Sequence, residues 1–377
     1  MSVIPDRPPE RSRPPRGRWA AWALGGLATI AIFALVRVTE GPEIAPDTTS
    51  TPGTSEVRAE RGVLSELVPG LTGTLKAVTG SGDASMITWD AQGPLTLTTG
   101  FPEGRPDQLS FDAGGGLFAL TIQDSATRSG ALLVGNGSDL TEMAFDVSSF
   151  AWHQTEPGTL AAVSRPFGST RPDLLTVSFP GQSLADAVVT SVVSVGPQDI
   201  VLAHGSWGFL IRRPRAASNE IVLLDESGDV QWTRPAHWAY AAPTGDILLS
   251  FYSNEIRELH AIRPDTDPGD PGAWFELPAL GVSGVAWSPN GREVAVVVNQ
   301  GGEAGSRLDV YDKDGEVVGR VPLDWRVWDV EWSGDGRFIV MPGAGDGGQV
   351  VIFYDSLEDT TTPVPFDTAV QIAVVAG

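Results

Sequence analysis

The sequence predicts an all-β, repetitive fold, and three observations lead to this prediction. One phrase occurs twice, as GVAWSPNGREVAVV from Gly284 and as DVEWSGDGRFIVM from Asp329. The equivalent residues Trp287 and Trp332 are 45 positions apart. The 44 Gly and 29 Pro suit many tight turns between short strands. Because a strand–turn–strand unit repeating every 40–45 residues or so is typical of a propeller blade, we predict a β-propeller.

Weaker copies of the phrase precede these two and extend the repeat. They centre on Phe111, Trp152, Val195 and Tyr240, which with Trp287 and Trp332 gives spacings of 41, 43, 45, 47 and 45 residues. Seven apolar hairpins with polar turns alternate with these six inner strand pairs; LDVYDKDGEVVGRV at 308–321 is one of them. An inner pair plus an outer hairpin makes the four strands of a blade.

Seven outer hairpins against six inner pairs leave one blade incomplete, and the chain ends offer the missing strands. TAVQIAVVA at 368–376 and LKAVT at 75–79 are apolar stretches without a partner. We expect the C-terminal stretch to become the innermost strand of the first blade, because this closes the ring and leaves no sheet edge exposed. The prediction is seven four-stranded blades within residues 58–377, with six or eight blades as alternatives.

The repeated phrases also resemble a known family. WSPNGR at 287–292 and WSGDGR at 332–337 resemble WD-repeat-like propeller repeats of the bacterial TolB-like type. LLDESGDVQW at 223–232 resembles the outer hairpin of quinoprotein-type repeats. The resemblance covers most of residues 70–377. It implies a binding platform, and it carries over neither catalytic residues nor a cofactor.

The N-terminal region has the pattern of a membrane anchor. Residues 1–18 are rich in Pro and Arg and are predicted to form a disordered cytoplasmic tail. Residues 19–36, WAAWALGGLATIAIFALV, carry no charge, and a helix of this length spans about 27 Å, close to the bilayer core. Five Arg precede this segment and only Arg37 follows closely, so the positive-inside rule places the body outside.

Two interpretations of that segment remain open, an uncleaved signal anchor and a cleaved signal peptide. No small-x-small cleavage site closely follows residue 36, which favours the anchor. We therefore predict a single-pass protein of the cell membrane, with an extracytoplasmic body. Residues 39–57 are rich in Thr, Pro, Ser and Gly and are predicted to be a flexible stalk.

The charge distribution excludes one class of partner. The net charge is -22, and residues 1–38 carry six Arg against Asp6 and Glu10, a sum of +4, so the remainder carries -26. A body of this charge repels nucleic acid, and no nucleic-acid partner is predicted. The predicted partners are the membrane, through residues 19–36, and a protein or glycan ligand on one propeller face.

The sequence offers no catalytic motif. It lacks a G-x-S-x-G elbow, a P-loop and an H-E-x-x-H motif. The four His are scattered at spacings that propose no metal site. The best metal candidate, DTDPGD at 265–270, lacks the terminal Glu and the spacing of a calcium loop. No catalytic residue, metal or cofactor is predicted.

The candidate ligand-binding residues are aromatic and basic side chains in loops that we expect to share one face of the propeller. They are Trp207, Arg212, Arg213, His237, Trp325, Arg326 and Trp328. Trp and Arg are enriched in binding hot spots and suit stacking on sugars and pairing with carboxylates. The alternative is structural, with the Trp side chains packed between blades and the Arg side chains paired with surface carboxylates.

Two functions from different classes follow. The first is a non-catalytic, membrane-anchored binding or scaffolding module. The second is a carbohydrate-active hydrolase or lyase with two carboxylates in the mouth of the propeller, since such a pair is sufficient for glycoside hydrolysis. The members of this pair would lie on different blades, where sequence spacing does not reveal them. The fold alone does not choose between the two functions.

Overall fold

The computed structural model describes residues 54–56 and 63–375, with gaps inside the second range. The gaps are 80–84, 93–94, 100, 103, 124–129, 137–138, 166–170, 216–218, 254–255, 263–272, 279–280, 300–304 and 367–370. The predicted tail, the segment 19–36 and most of the predicted stalk lie outside the described residues. Among the described residues, no helix combines the length and apolar character needed to cross a membrane.

The described chain consists mainly of β-strands, with one short α-helix, α1 (Leu64–Leu67), and one 3-10 helix, Pro180–Gln182. The strands of the first half are β1 (Thr54–Glu56), β2 (Thr74–Thr79), β3 (Ser85–Asp90), β4 (Leu95–Thr98), β5 (Arg105–Phe111), β6 (Leu117–Gln123), β7 (Gly130–Asn136), β8 (Asp139–Trp152), β9 (Thr159–Arg165), β10 (Asp173–Ser178), β11 (Val188–Ser194), β12 (Ile200–Gly205), β13 (Gly208–Pro214), β14 (Asn219–Leu224) and β15 (Val230–Pro235).

The second half continues without a helix in its described part. Its strands are β16 (Trp238–Ala241), β17 (Ile247–Ser253), β18 (Ile256–Ile262), β19 (Ala273–Pro278), β20 (Val282–Trp287), β21 (Glu293–Asn299), β22 (Ser306–Asp312), β23 (Val317–Leu323), β24 (Arg326–Val327), β25 (Glu331–Trp332), β26 (Phe338–Gly345), β27 (Gly348–Asp355), β28 (Thr360–Phe366) and β29 (Gln371–Val375).

The strands form antiparallel sheets of mostly consecutive strands. The orders are β1-β4-β3-β2-β29, then β11-β10-β9-β8-β7-β6-β5, then β12-β13-β14-β15, then β16-β17-β18-β19, then β20-β21-β22-β23, and last β24-β26-β27-β28 with β25 also on β26. The predicted all-β class is confirmed. The three residues of β1, within the predicted stalk, pair with Thr96–Thr98 and so cover the outer edge of the first sheet.

One long strand joins two sheets. The first part of β8 pairs with β7, from Asp139 opposite Asn136. Its last part pairs with β9, ending with Trp152 opposite Leu160. The same strand is therefore the outermost strand of one four-strand unit and the innermost strand of the next, which explains the seven-stranded sheet.

The C-terminal strand closes the first sheet, as predicted. β29 pairs antiparallel with β2, with Thr74 opposite Val375. Ile372 is buried against Leu75, Trp89 and Phe366. Contacts between innermost strands run from β29 to β5, β8, β12, β16, β20, β25 and back to β29, so the series closes on itself.

One predicted strand pair was wrong. Val192–Val195 and the following DIVLA stretch were expected to be an inner pair, but β11 is the outermost strand on β10 and β12 begins the next sheet. β11 pairs with the edge of the buried strand β10 that β9 leaves open. The Gly196–Pro197 turn therefore connects this sheet to the next one. The inner hairpin is β12–β13, whose turn is closed by Gly208 at φ 107°.

The repeated phrase has a structural explanation. Ser333 Oγ accepts from Phe338 N at 2.8 Å and donates to Asp335 Oδ1 at 2.6 Å, and Ser288 and Asn290 form the equivalent turn. Gly336 adopts φ 73°, a conformation that favours glycine. The Ser, Asn or Asp, and Gly of the phrase are thus turn residues.

The Trp of the phrase joins neighbouring sheets. Trp332 Nε1 donates to the carbonyl of Ala286 at 3.1 Å, and Trp287 Nε1 to that of Tyr240 at 3.2 Å. Trp152 Nε1 donates to the Ser110 carbonyl at 3.1 Å. Since each indole reaches the same end of the preceding inner strand, these inner strands run in one direction. We call the end where they turn back the hairpin end, and the end where the chain arrives from the previous sheet the crossover end.

Candidate functional site

A cavity of about 730 Å³ lies among the innermost strands. We call it the central cavity. Its acidic and histidine lining residues are Asp107, Asp329, Glu331 and His153, and no Lys or Arg is among the described residues that line it. The charge that this lining can carry is therefore mainly negative, and hydrophobic residues such as Trp238 and Tyr240 make up much of the remainder.

Burial changes the acidity of the three carboxyl groups. It raises the pKa of Glu331 to about 8, with a further contribution from the Asp329 charge. Burial also raises the pKa of Asp329 to about 6, although Val330 N donates to its Oδ1 at 2.9 Å. The pKa of Asp107 is raised by burial and partly lowered again by Arg105. Glu331 thus keeps its proton at neutral pH, beside a carboxylate that has lost its own.

The sequence contained a signal for this acidic pair that the prediction missed. Asp329 and Glu331 stand at the positions where the first copy of the phrase has Gly284 and Ala286. The turn and the Trp are shared between copies, so the copies differ where the inner strand meets the cavity. Comparing them position by position would have identified both acids.

Two histidines meet at the hairpin end. The rings of His153 and His204 are 4.6 Å apart, and His204 also stacks on Phe209. His153 Nδ1 accepts from the backbone N–H of Glu156 at 2.9 Å. Burial lowers the pKa of both rings, that of His204 to about 3 with a contribution from His153, so both are neutral near pH 7. Within the described ranges, no group of three or more His, Cys, Asp or Glu could hold a metal ion.

Two arginines of the predicted set make defined contacts at the crossover end. The Arg212 guanidinium lies 4.9 Å from the ring centre of Trp238, on the first strand of the next sheet. Arg213 Nε donates to Asp199 Oδ2 at 2.9 Å, and Asp199 is buried. Arg213 thus follows the structural alternative, pairing with a carboxylate of its own sheet.

The other predicted residues at the crossover end lie on two further sheets. Arg326 is exposed, whereas Trp325 and Trp328 are half-buried. Trp325 packs against the apolar cluster between the last two sheets, and Trp328 N donates to the Pro342 carbonyl at 3.3 Å. His237 is exposed, and its backbone N donates to the Ser250 carbonyl at 2.7 Å.

Trp207 lies at the other end of the sheet. It belongs to the turn between β12 and β13, at the hairpin end, because the inner pair begins later than expected. Its Nε1 is shielded from solvent and has no partner among the described residues. The expectation that all predicted residues share one face therefore holds for the set without Trp207. None of the predicted residues lines the central cavity.

The antiparallel sheets and the closed series of innermost strands make this chain a propeller-like, all-β protein. The chain is similar to the Myceliophteria thermophila Cps50 (Swd1) β-propeller domain, at 13% identity and a TM-score of 0.50, covering 75% of this chain and 96% of that one. It is also similar to a chain in a crystal structure of a mitotic checkpoint complex, at 12% identity and a TM-score of 0.53. The match covers 94% of this chain and 98% of that one.

These likenesses concern the fold alone. They confirm a propeller-like architecture and agree with the WD-repeat-like resemblance of the repeated phrase. No protein-family model matches the sequence, and no curated protein is similar to it. Function therefore has to be argued from the residues of this chain.

Proposed function

We propose that this chain is a membrane-anchored, extracytoplasmic binding or scaffolding module that takes a protein or glycan ligand at the crossover end of its propeller. The observation that carries the proposal is the group formed by Trp325, Arg326 and Trp328 on the last sheet. Arg326 is exposed and its neighbours in the sequence, Trp325 and Trp328, are half-buried, so residue types of a binding hot spot occur together at this end of a strongly acidic body. His237 is exposed at the same end.

The proposed body has seven blades of the TolB-like bacterial type. Counting β8 in two units divides the seven-stranded sheet into two four-stranded ones, and the other sheets each supply one. The cyclic contacts of the innermost strands support this count. A ring of this kind offers a stable frame for loops at its crossover end.

The proposed anchor is the segment 19–36, supported by its uncharged sequence and by the Arg residues before it. Membrane fractionation of cells that express the full chain, or the chain without residues 19–36, tests it. Release of the shortened chain into the soluble fraction supports the anchor. Equal release of both forms contradicts it.

We expect Arg326→Ala to weaken ligand binding by at least about tenfold, because a hot-spot residue contributes roughly 2 kcal/mol or more. The measurement is a glycan and protein binding screen of the full chain, followed by titration of any ligand that binds saturably. Arg292→Ala is the matched control, since Arg292 is also exposed but lies in a turn at the hairpin end. Equal affinities of the two variants would exclude the crossover end as the binding surface.

The central cavity favours a second candidate, the carbohydrate-active hydrolase or lyase. Glu331 retains its proton at neutral pH and could act as general acid, beside the ionised Asp329 as base or nucleophile. Release of the chromophore from chromogenic glycosides by the full chain tests this function. The activity should be lost in Asp329→Asn, whereas a Glu316→Gln change on an exposed turn should leave it unchanged.

A further inference from the structure

Two arginines lie in one row across the sheet formed by β12 to β15. Arg212 on β13 is directly opposite Ile221 on β14, and Ile221 is opposite Arg234 on β15. Directly opposed residues of an antiparallel sheet point to the same face. Ile221 packs with Ala236 and Ala239, so this face is turned towards the next sheet. Adjacent strands are about 4.8 Å apart, which places the two Arg backbones roughly 10 Å from each other.

Arg212 has neutral partners. Its guanidinium lies over the Trp238 ring at 4.9 Å. The side-chain oxygen of Asn219, in the amide orientation that satisfies both groups, accepts from Arg212 Nε at 3.3 Å and from Nη2 at 2.9 Å. Burial lowers the pKa of Arg212, the direction expected for a cation that lacks a nearby opposite charge. No carboxylate pairs with it in the part of the chain that the structure describes.

Arg234 has a buried donor that makes no hydrogen bond to the described residues. The side chain is half-buried, and its Nε is shielded from solvent without a hydrogen-bond partner among the described residues. A buried donor without a partner costs about 1–3 kcal/mol, and more when the group is charged. A planar guanidinium presents its donors in a fork that fits the two oxygens of a carboxylate or phosphate.

The two acids at the crossover end of the same sheet already pair with other arginines. Asp199 accepts from Arg213 Nε at 2.9 Å, and Glu220 accepts from Arg215 Nε at 2.9 Å. Arg213 pairs with Glu220 in the sheet, and this pair is next to the pair of Arg212 and Ile221. Because successive strand residues alternate between faces, the side chains of Arg213 and Glu220 point to the face opposite to that of Arg212. Among the described residues, the face that carries Arg212 and Arg234 is thus a local positive site, on a body of strongly negative charge, to which no carboxylate is paired.

We propose that Arg212 and Arg234 form an oxyanion site, which binds the carboxylate or phosphate group of an acidic ligand. The ligand's oxygens accept hydrogen bonds from the two guanidinium groups, and the contact with the Trp238 ring helps to hold Arg212 in place. This inference rests on the proposed binding function, since the row lies at the same crossover end. It adds the chemical class of the group that is recognised.

The test is a titration of the full chain with sodium phosphate and, separately, sodium succinate. Ionic strength is held constant with sodium chloride, because screening alone would otherwise change the result. We expect a saturable rise in Tm and a calorimetric binding signal, with the Kd at least tenfold weaker in Arg234→Gln and in Arg212→Gln. Arg292→Gln, at an exposed position of the hairpin end, should bind like the wild type. A stronger response to phosphate or to succinate identifies the preferred group.

A second readout separates a ligand site from a structural arginine. Without added anion, Arg234→Gln should leave Tm unchanged or raise it, because the substitution removes an uncompensated cation. A clear fall in Tm would assign Arg234 a structural role and overturn the proposal. The proposal also fails if the wild type shows no saturable response to either anion, or if the double variant responds equally. Retained anion binding in Arg326→Ala, together with loss of any larger ligand, separates this site from the proposed binding surface.

Discussion

Replacing Ile372 with Asp is expected to lower the free energy of unfolding by more than about 4 kcal/mol, or to prevent folding altogether. Ile372 is 1% exposed and packs on Leu75 and Trp89, so the substitution buries a carboxylate without a partner. The effect reaches beyond the local contact, because β29 is the strand that closes the first sheet. Detaching it exposes the backbone groups of β2, from Thr74 to Val78.

Urea unfolding and hydrogen exchange measure this effect. The amides of β2 should lose protection in Ile372→Asp more than those of β14, whose sheet is three steps away from the first along the series of innermost strands. Val318→Asp is the control, because Val318 is 56% exposed on the outermost strand β23 and should tolerate the charge at a cost of about 0.5 kcal/mol. Comparable losses in the two variants would mean that β29 does not hold the ring closed.

Replacing Glu331 with Gln is expected to stabilise the protein above neutral pH and to have little effect near pH 4. The pKa of Glu331 is raised by burial to about 8 from an ordinary value of 4.5, so the folded state holds a proton that the unfolded state releases. Its contribution to stability is therefore complete below pH 4.5 and is lost as pH rises through about 8. Gln has no proton to lose and avoids this loss.

The size of the gain follows from the pKa. One pKa unit is worth about 1.4 kcal/mol, which sets an upper bound of about 5 kcal/mol. Because Glu331 faces a cavity that water can enter, screening reduces the expected gain to about 2 kcal/mol at pH 9. Glu316→Gln, an exposed position on an outer turn, should not change the pH dependence. Parallel stability curves for wild type and Glu331→Gln between pH 5 and pH 9 would contradict the assignment of a buried, protonated carboxyl.

The repeated phrase made most of the fold predictable. A Trp, a Ser and a Gly turn recur because each performs one local task, so their spacing revealed the inner pairs around Trp287 and Trp332. Around Val195 this reasoning failed. An apolar strand followed by Gly196 and Pro197 has the same sequence pattern in two cases: the turn joins two strands of one sheet, or it leads to the next sheet. Only the pairing of β11 with β10 shows that the second case applies.

The candidate site was also predictable only in part. The sequence pointed to the Arg and Trp residues of the crossover end because these residue types are enriched in binding hot spots. It did not indicate that Arg213 is neutralised by Asp199, or that Arg212 and Arg234 share a row. Such facts depend on strand register, since a shift by one residue moves every side chain to the opposite face.

The sequence by itself determined the all-β class, the repeat, the turns and the closure by the C-terminal strand. These depend on local backbone preferences and on alternating hydrophobicity, which neighbouring residues specify. Only the tertiary structure decided which end Trp207 occupies and that Asp329 and Glu331 border a cavity with Asp107 from another sheet. The pKa values of these acids are raised because residues far apart in the chain surround them, and burial of this kind is a property of the assembled sheets.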